Sequence, residues 1–200
     1  MIRNIVVLCI VGLLTACFGG GGVVPQDQFY KLADIPDDVT QASHPLGSVA
    51  VAPLQSDALH NQRAILYVEQ AEPLKVNPYH YHFWGDSPGQ ILQENLIEYL
   101  RKTGFARTVV RYGERQRVDA QITGYIQRFE RVLGQGNPKV AVRLELSFIS
   151  RSAGTPATLT RVYSDEQEAT DDSMEATVRA FSVAVQRVYA EFVADVMAAH

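Results

Sequence analysis

The chain has 200 residues, a formal net charge of −4, 46% hydrophobic and 20% charged residues. This is an ordinary globular composition, long enough for one domain with a sizeable core. A mildly acidic chain with no basic cluster lacks the footprint of a nucleic-acid binder, and two cysteines, Cys9 and Cys17, leave no disulfide framework.

The chain opens with Arg3 and an apolar run of ten residues, 5–14, closed by Leu14-Thr15-Ala16-Cys17. The run is about half the ~20 residues needed to span a bilayer as a helix. A charged start, a short apolar core and small residues before a cut site read as a secretory signal peptide. The Leu-Thr-Ala-Cys ending resembles the lipobox of bacterial lipoproteins, in which the Cys sulfur is lipidated and the Cys becomes the first residue. That resemblance implies loss of residues 1–16, leaving 184 residues. Arg3 and Cys9 depart with the signal, so the formal charge becomes −5 and the domain holds no free thiol. Phe18 stands where an Asp favours inner-membrane retention of enteric lipoproteins. The expectation is therefore a lipid-anchored protein of the outer membrane, facing the periplasm.

Residues 17–27 read as a lipidated Cys and a flexible tether, with glycines at 19, 20, 21 and 22. Ten such residues reach ~17 Å on average, which keeps the domain close to its membrane. No Lys-Ser/Thr follows these glycines, as a phosphate-cradling loop requires. A single domain is expected over residues 28–200.

Strands are expected at 29–32, 48–53 and 63–70 from their alternating apolar residues. Asn77-Pro78 predicts a break, with a short aromatic strand at 79–84 after it. Residues 87–102 read as a helix. Ser87 is the N-cap, Pro88 suits the first position, and Gln90 completes a capping box. Leu92, Leu96, Tyr99 and Leu100 form its buried stripe, and Gly104 stops it. After a strand at 105–111 comes a three-strand antiparallel meander over 118–132, 139–150 and 158–168. Its turns are Gly134-Gln135-Gly136-Asn137-Pro138 and Gly154-Thr155-Pro156. Ala120, Ile122, Ile126, Val140, Val142, Leu144, Leu146 and Phe148 define a dry face. Asp119, Gln121, Thr123, Tyr125, Arg143, Glu145 and Ser147 define a wet one. A last helix is expected from Asp172, with Glu175 three residues on. Its stripe is Met174, Val178, Phe181, Val185, Val188, Phe192 and Val196. The fold class is α+β: a mostly antiparallel mixed sheet with two helices packed on one face.

Among the chemistry-bearing residues, His80 and His82 would share one strand face with Trp84, and Tyr79, Tyr81 and Phe83 the other. Two His at i, i+2 need further ligands to hold a metal, and none is patterned nearby. No Gly-x-Ser-x-Gly, Walker A or His-Glu-x-x-His is present. The expectation is a protein that is not an enzyme and takes no metal or cofactor. The wet face is the candidate partner surface, with Tyr125, Arg143, Glu145 and Tyr163 as its residues.

The order of short motifs carries a resemblance. A lipobox and glycine tether precede Phe29-Tyr30-x-Leu32 and Val49-x-Val51-x-Pro53-Leu54. Tyr81-His82-Phe83-Trp84-Gly85-Asp86-Ser87-Pro88 then runs into the first helix, and Ala180-Phe181-Ser182-Val183-Ala184 lies in the last. Over nearly all of the mature chain this is similar to the ABC-type transport auxiliary lipoproteins. That family includes the lipoprotein component of the Pqi paraquat-inducible system. Family members often place an Arg directly before the Trp, where this chain has Phe83. The resemblance implies a non-catalytic accessory role in intermembrane lipid trafficking or envelope maintenance. It implies a periplasmic MCE-domain protein and an ABC permease and ATPase as partners. It also implies that Tyr81, Trp84 and Pro88 are a structural anchor seating the first helix. An envelope-assembly lipoprotein unrelated to transport and a periplasmic hydrolase are the alternatives that remain open.

Overall fold

The alternating stretches form a nine-stranded sheet and the two 3.6-residue stripes form helices, in a computed structural model that describes residues 25–42, 46–113, 117–150 and 158–199. The lipobox, the glycine run and the 154–156 turn lie outside the described residues. The strands are β1 Gln28–Tyr30, β2 Leu46–Val51, β3 Gln55–Ser56, β4 Ala64–Glu69, β5 Glu72–Trp84, β6 Ala106–Arg111, β7 Ala120–Leu133, β8 Lys139–Ser150 and β9 Thr158–Glu168. The helices are α1 Pro88–Lys102, between β5 and β6, and α2 Met174–Ala198, after β9.

β7 organises the sheet. On one side it runs antiparallel to β8 along nearly its whole length, and β8 runs antiparallel to β9. This is the meander legible in the sequence. The other side of β7 forks. β2 pairs parallel with its first residues, Ala120 to Ile122, and β6 lies beyond β2. β4 pairs parallel with Glu130 to Leu133, and β5 and β1 lie beyond β4. The two-residue β3 fills the fork opposite Tyr125 and Ile126. Gln55 and Ser56, which lie outside the strands expected from sequence, form that bridging strand. The sheet is mixed, with its longest registers antiparallel.

β5 is longer than the 79–84 expected, because Pro78 does not break it. Proline withholds a ladder N–H, and sheets tolerate it where one strand edge is free. Among the described residues, the outer edge of β5 pairs with β1 at His82, Phe83 and Trp84 and has no strand beside it at Pro78.

Both helices lie on one face of the sheet, α1 against β2 and β6, α2 against β8 and β9. Every predicted stripe residue of each helix is buried. Tyr189 Oη donates to the Leu92 carbonyl at 2.9 Å and joins the two helices. Two caps differ from expectation. Ser87 is the N-cap of α1, but its side chain makes no capping bond. Its own N–H donates to Asp86 Oδ1 at 2.7 Å, so Gln90 closes no capping box. In α2 the N-cap is Ser173, whose Oγ accepts from the Ala176 N–H at 3.1 Å. Asp172 accepts from Arg131 instead and is drawn away from the cap position.

The start of α1 is fitted tightly against the β2–β3 connection. The Leu54 N–H donates to the Gly89 carbonyl at 3.2 Å. A Cβ on Gly89 would stand 2.2 Å from the Leu54 carbonyl oxygen. Leu54 also lies over Gly124 of β7, whose missing side chain makes the room.

Candidate functional site

Opposite the helices, the meander presents a second face. Tyr125, Glu145 and Val162 stand in one cross-strand row over β7, β8 and β9. Tyr125 and Val162 are each 38% exposed, the two large apolar groups of this row. The next row is Thr123, Ser147 and Thr160, with the Ser147 and Thr160 hydroxyls 2.8 Å apart. On the other side lies a notch of about 240 Å³ between Arg128, Arg143, Ser164 and Glu166.

The notch exists because β7 carries a bulge. Ile126 pairs with Leu144 and Arg128 with Arg143, so Gln127 is an extra residue. The bulge sets Arg128 directly opposite Arg143. Glu166 lies 3.8 Å and Glu130 3.4 Å from Arg128, and Gln127 accepts from Arg143 Nε at 2.9 Å. These partners offset the like charges. Past the bulge the row facing the helices continues through Phe129 and Arg131, which reach Phe181 and Asp172.

The predicted residues separate on this geometry. Tyr125, Arg143 and Glu145 lie together on the second face. Tyr163 does not: it is 4% exposed and packs edge-on against Phe192 at 5.8 Å. Its hydroxyl donates to Asp195 Oδ2 at 2.9 Å, and burial and that carboxylate push its pKa far up. β9 has too few apolar residues to reveal its parity, and the register with Leu144 turns Tyr163 inward. Its neighbour Val162 is the outward residue that sequence reasoning missed.

The anchor separates too. Trp84 is 1% exposed, stacked on Phe129 at 5.1 Å and edge-on to Phe181 at 5.4 Å. These ring contacts join the sheet to α2, and Trp84 shares its core cluster with Leu92 and Leu96 of α1. Pro88 is buried in the first turn of α1. Tyr81 is 44% exposed. The cause is a register shift in β5: Ala64 pairs with Phe83 but Leu66 with Pro78. Alternation fails across the shift, so His80 and Tyr81 are both exposed. Tyr79 and His82 meet edge-on at 5.5 Å instead of facing apart, and His82 Nδ1 lies 3.0 Å from Tyr30 Oη. Among the described residues, no three His, Cys, Asp or Glu side chains converge as a metal site needs.

The second face is not uniformly wet, which the sequence did not signal. Leu66 and Ala141 flank Glu130 in register and are buried. Here His60 is 6% exposed and Glu130 4% exposed. His60 Nδ1 sits 2.9 Å from Asp57 Oδ2, and Nε2 faces Glu130 Oε1 at 3.5 Å. Glu130 and then Asp57 raise the imidazole pKa, against the opposing pull of burial. The cluster pins the 57–62 loop across the fork. Its only sequence signal was Asp57-x-x-His60 in a turn.

A larger groove of about 770 Å³ runs along the outer side of α1. Charges along it are paired: Arg111 lies 2.5 Å from Glu94, Lys31 3.1 Å from Asp34 and Lys102 3.6 Å from Glu98. The sheet face, with Tyr125 and Val162 exposed on either side of Glu145, is the better candidate for a partner.

Comparison with known proteins bears on the fold and the family. No curated protein sequence matches the chain. Among solved structures, protein XCC0632 from Xanthomonas campestris is 18% identical, with a TM-score of 0.70 over 86% of this chain and 95% of that one. An uncharacterised protein is 11% identical, with a TM-score of 0.66 over 86% of this chain and 99% of its own. At such identities the likeness is one of fold. The model of the ABC-type transport auxiliary lipoprotein component matches residues 30–193, nearly the whole described domain. The chain belongs to the ABC-type transport auxiliary lipoprotein family.

Proposed function

We propose that the chain is a non-catalytic accessory lipoprotein of an MCE-associated ABC transport system, acting in intermembrane lipid traffic or envelope maintenance. The observation that carries this reading is the family match across residues 30–193. The sequence has no Walker A motif, so the energy for transport comes from a separate ATPase. Cys17 is the lipid attachment point, and the absence of an Asp at position 18 favours the periplasmic face of the outer membrane. There it holds the periplasmic MCE-domain subunit near the bilayer.

The docking surface in this reading is the Tyr125, Glu145 and Val162 row with Arg143 beside it. A non-obligate interface need be no more apolar than the rest of the surface, and in this row Tyr125 and Val162 are exposed on either side of Glu145. The test is co-purification of the full lipidated chain with the MCE-domain protein from membranes. Tyr125→Arg and Val162→Arg are each expected to keep the fold and lose capture. Undiminished capture by both variants removes this face. Normal lipid traffic in cells lacking the chain removes the transport role.

A further inference from the structure

β5 leaves its ladder at Pro73, Leu74 and Lys75. Val68 pairs with Val76 but Glu69 with Glu72, so three residues stand out of register. Lys75 Nζ bridges to Glu72 Oε2 at 3.1 Å across the base of this bulge. Leu74, on the bulge, is 98% exposed. Bulges of this kind re-aim side chains. A single exposed leucine is ordinary on a protein surface. What sets this one apart is its position relative to the N-terminus.

β1 runs parallel to β5, with Gln28 opposite His82 and Tyr30 opposite Trp84. The chain before Gln28 therefore enters from the side of lower-numbered β5 residues, where the bulge lies. Leu74 leads Gln28 in that direction by eight residue positions of β5, at most ~26 Å at the rise of a strand. The eleven residues from Cys17 to Gln28 can span at most ~36–40 Å. A bilayer that holds Cys17 is thus brought level with Leu74 with no extension beyond the tether's range. The β7–β8 turn lies at the same end, since the Gln70 N–H donates to the Leu133 carbonyl at 2.7 Å. Charge does not draw this end to anionic lipid: Glu69 and Glu72 outnumber Lys75 in the hairpin tip.

We propose that the Pro73-Leu74-Lys75 bulge is a membrane contact, with Leu74 inserted into the interface of the bilayer that carries the lipidated Cys17. The proposal rests on the lipid-anchor reading above. Insertion is apolar, to the shallow depth of interfacial side chains. It fixes the orientation of the domain. The β4–β5 end faces the membrane, and the Tyr125–Val162 row stands farther out, where a soluble subunit reaches it.

The test uses the full lipidated chain. After signal removal, with Cys17 acylated, Leu74→Cys is the only free thiol and takes an environment-sensitive fluorophore. The chain is reconstituted in phosphatidylcholine and phosphatidylethanolamine vesicles, with and without lipids carrying an acyl-chain nitroxide. Val162→Cys, labelled in the same way, is the comparison. The expected result is co-flotation of both chains with vesicles. Emission at position 74 shifts to the blue and is mostly lost with the nitroxide, while position 162 keeps its emission. Equal emission and equal quenching at the two positions, with both chains floating, overturns the contact and leaves the anchor standing. Failure to float overturns the anchor and the contact together.

Discussion

Replacing Trp84 by Ala separates a core role from a partner-facing one. The indole is 1% exposed and lies between Phe129 and Phe181. An aromatic side chain buries ~150–250 Å², and at ~25 cal/mol per Å² that is ~4–6 kcal/mol. Ala retains part of this, while the cavity left behind adds a further cost. Large aromatic-to-Ala core changes cost ~3–5 kcal/mol, and ~4 kcal/mol is the expectation here. For a domain of this length each kcal/mol lowers Tm by ~2–4 °C, so the drop is roughly 8–16 °C. The assay is thermal unfolding followed by near-ultraviolet circular dichroism, beside Tyr81→Ala as a control. Tyr81 is 44% exposed, and its loss should cost less than ~1 kcal/mol. A Trp84→Ala protein melting within ~2 °C of the parent, with partner capture lost, would refute the core assignment and make Trp84 a binding hot spot.

Gly89→Ala should reverse the usual helix rule. Ala is ~1 kcal/mol better than Gly inside a helix, but its Cβ would meet the Leu54 carbonyl oxygen at 2.2 Å. A net loss of ~1–3 kcal/mol in chemical denaturation is expected, and any stabilisation would contradict the close approach. The His60 cluster makes stability pH-dependent with a definite sign. Its folded pKa lies above the ordinary 6.5. The contribution is therefore full below about pH 6.5 and is lost as pH rises through the raised folded value. The urea midpoint should fall between pH 6 and pH 8.5 by more in the parent than in His60→Asn, and parallel profiles would rule out the linkage. Tyr163→Phe removes one hydrogen bond to Asp195 and should cost ~0.5–1.5 kcal/mol with partner capture intact. Lost capture in a folded Tyr163→Phe protein would argue against its assignment to the core.

Local periodicity carried much of the architecture into view. The stripes from Leu92 to Leu100 and from Met174 to Val196 read as helices because apolar residues recur on one face every three or four residues, over about two and a half turns in the first and about six in the second, and the named stripe residues are buried. The β7–β8–β9 meander was equally legible. Its strands follow one another closely in sequence, and consecutive strands close in sequence pair with each other. Aromatic residues of β5 and β9 were read less well. Tyr81 and Tyr163 were placed by simple alternation, and one register shift or one ambiguous parity puts a side chain on the other face.

The sequence by itself determined the α+β class, the two helices and the apolar rows, because these depend on residues within a few positions of one another. Only the tertiary structure decided the fork on β7, the outward turn of Val162, the burial of His60 against Glu130 and the display of Leu74 on its bulge. Each depends on which distant strand pairs with which, and in what register. Such pairings are stabilised by packing summed over the whole sheet, and no short stretch of chain encodes that sum.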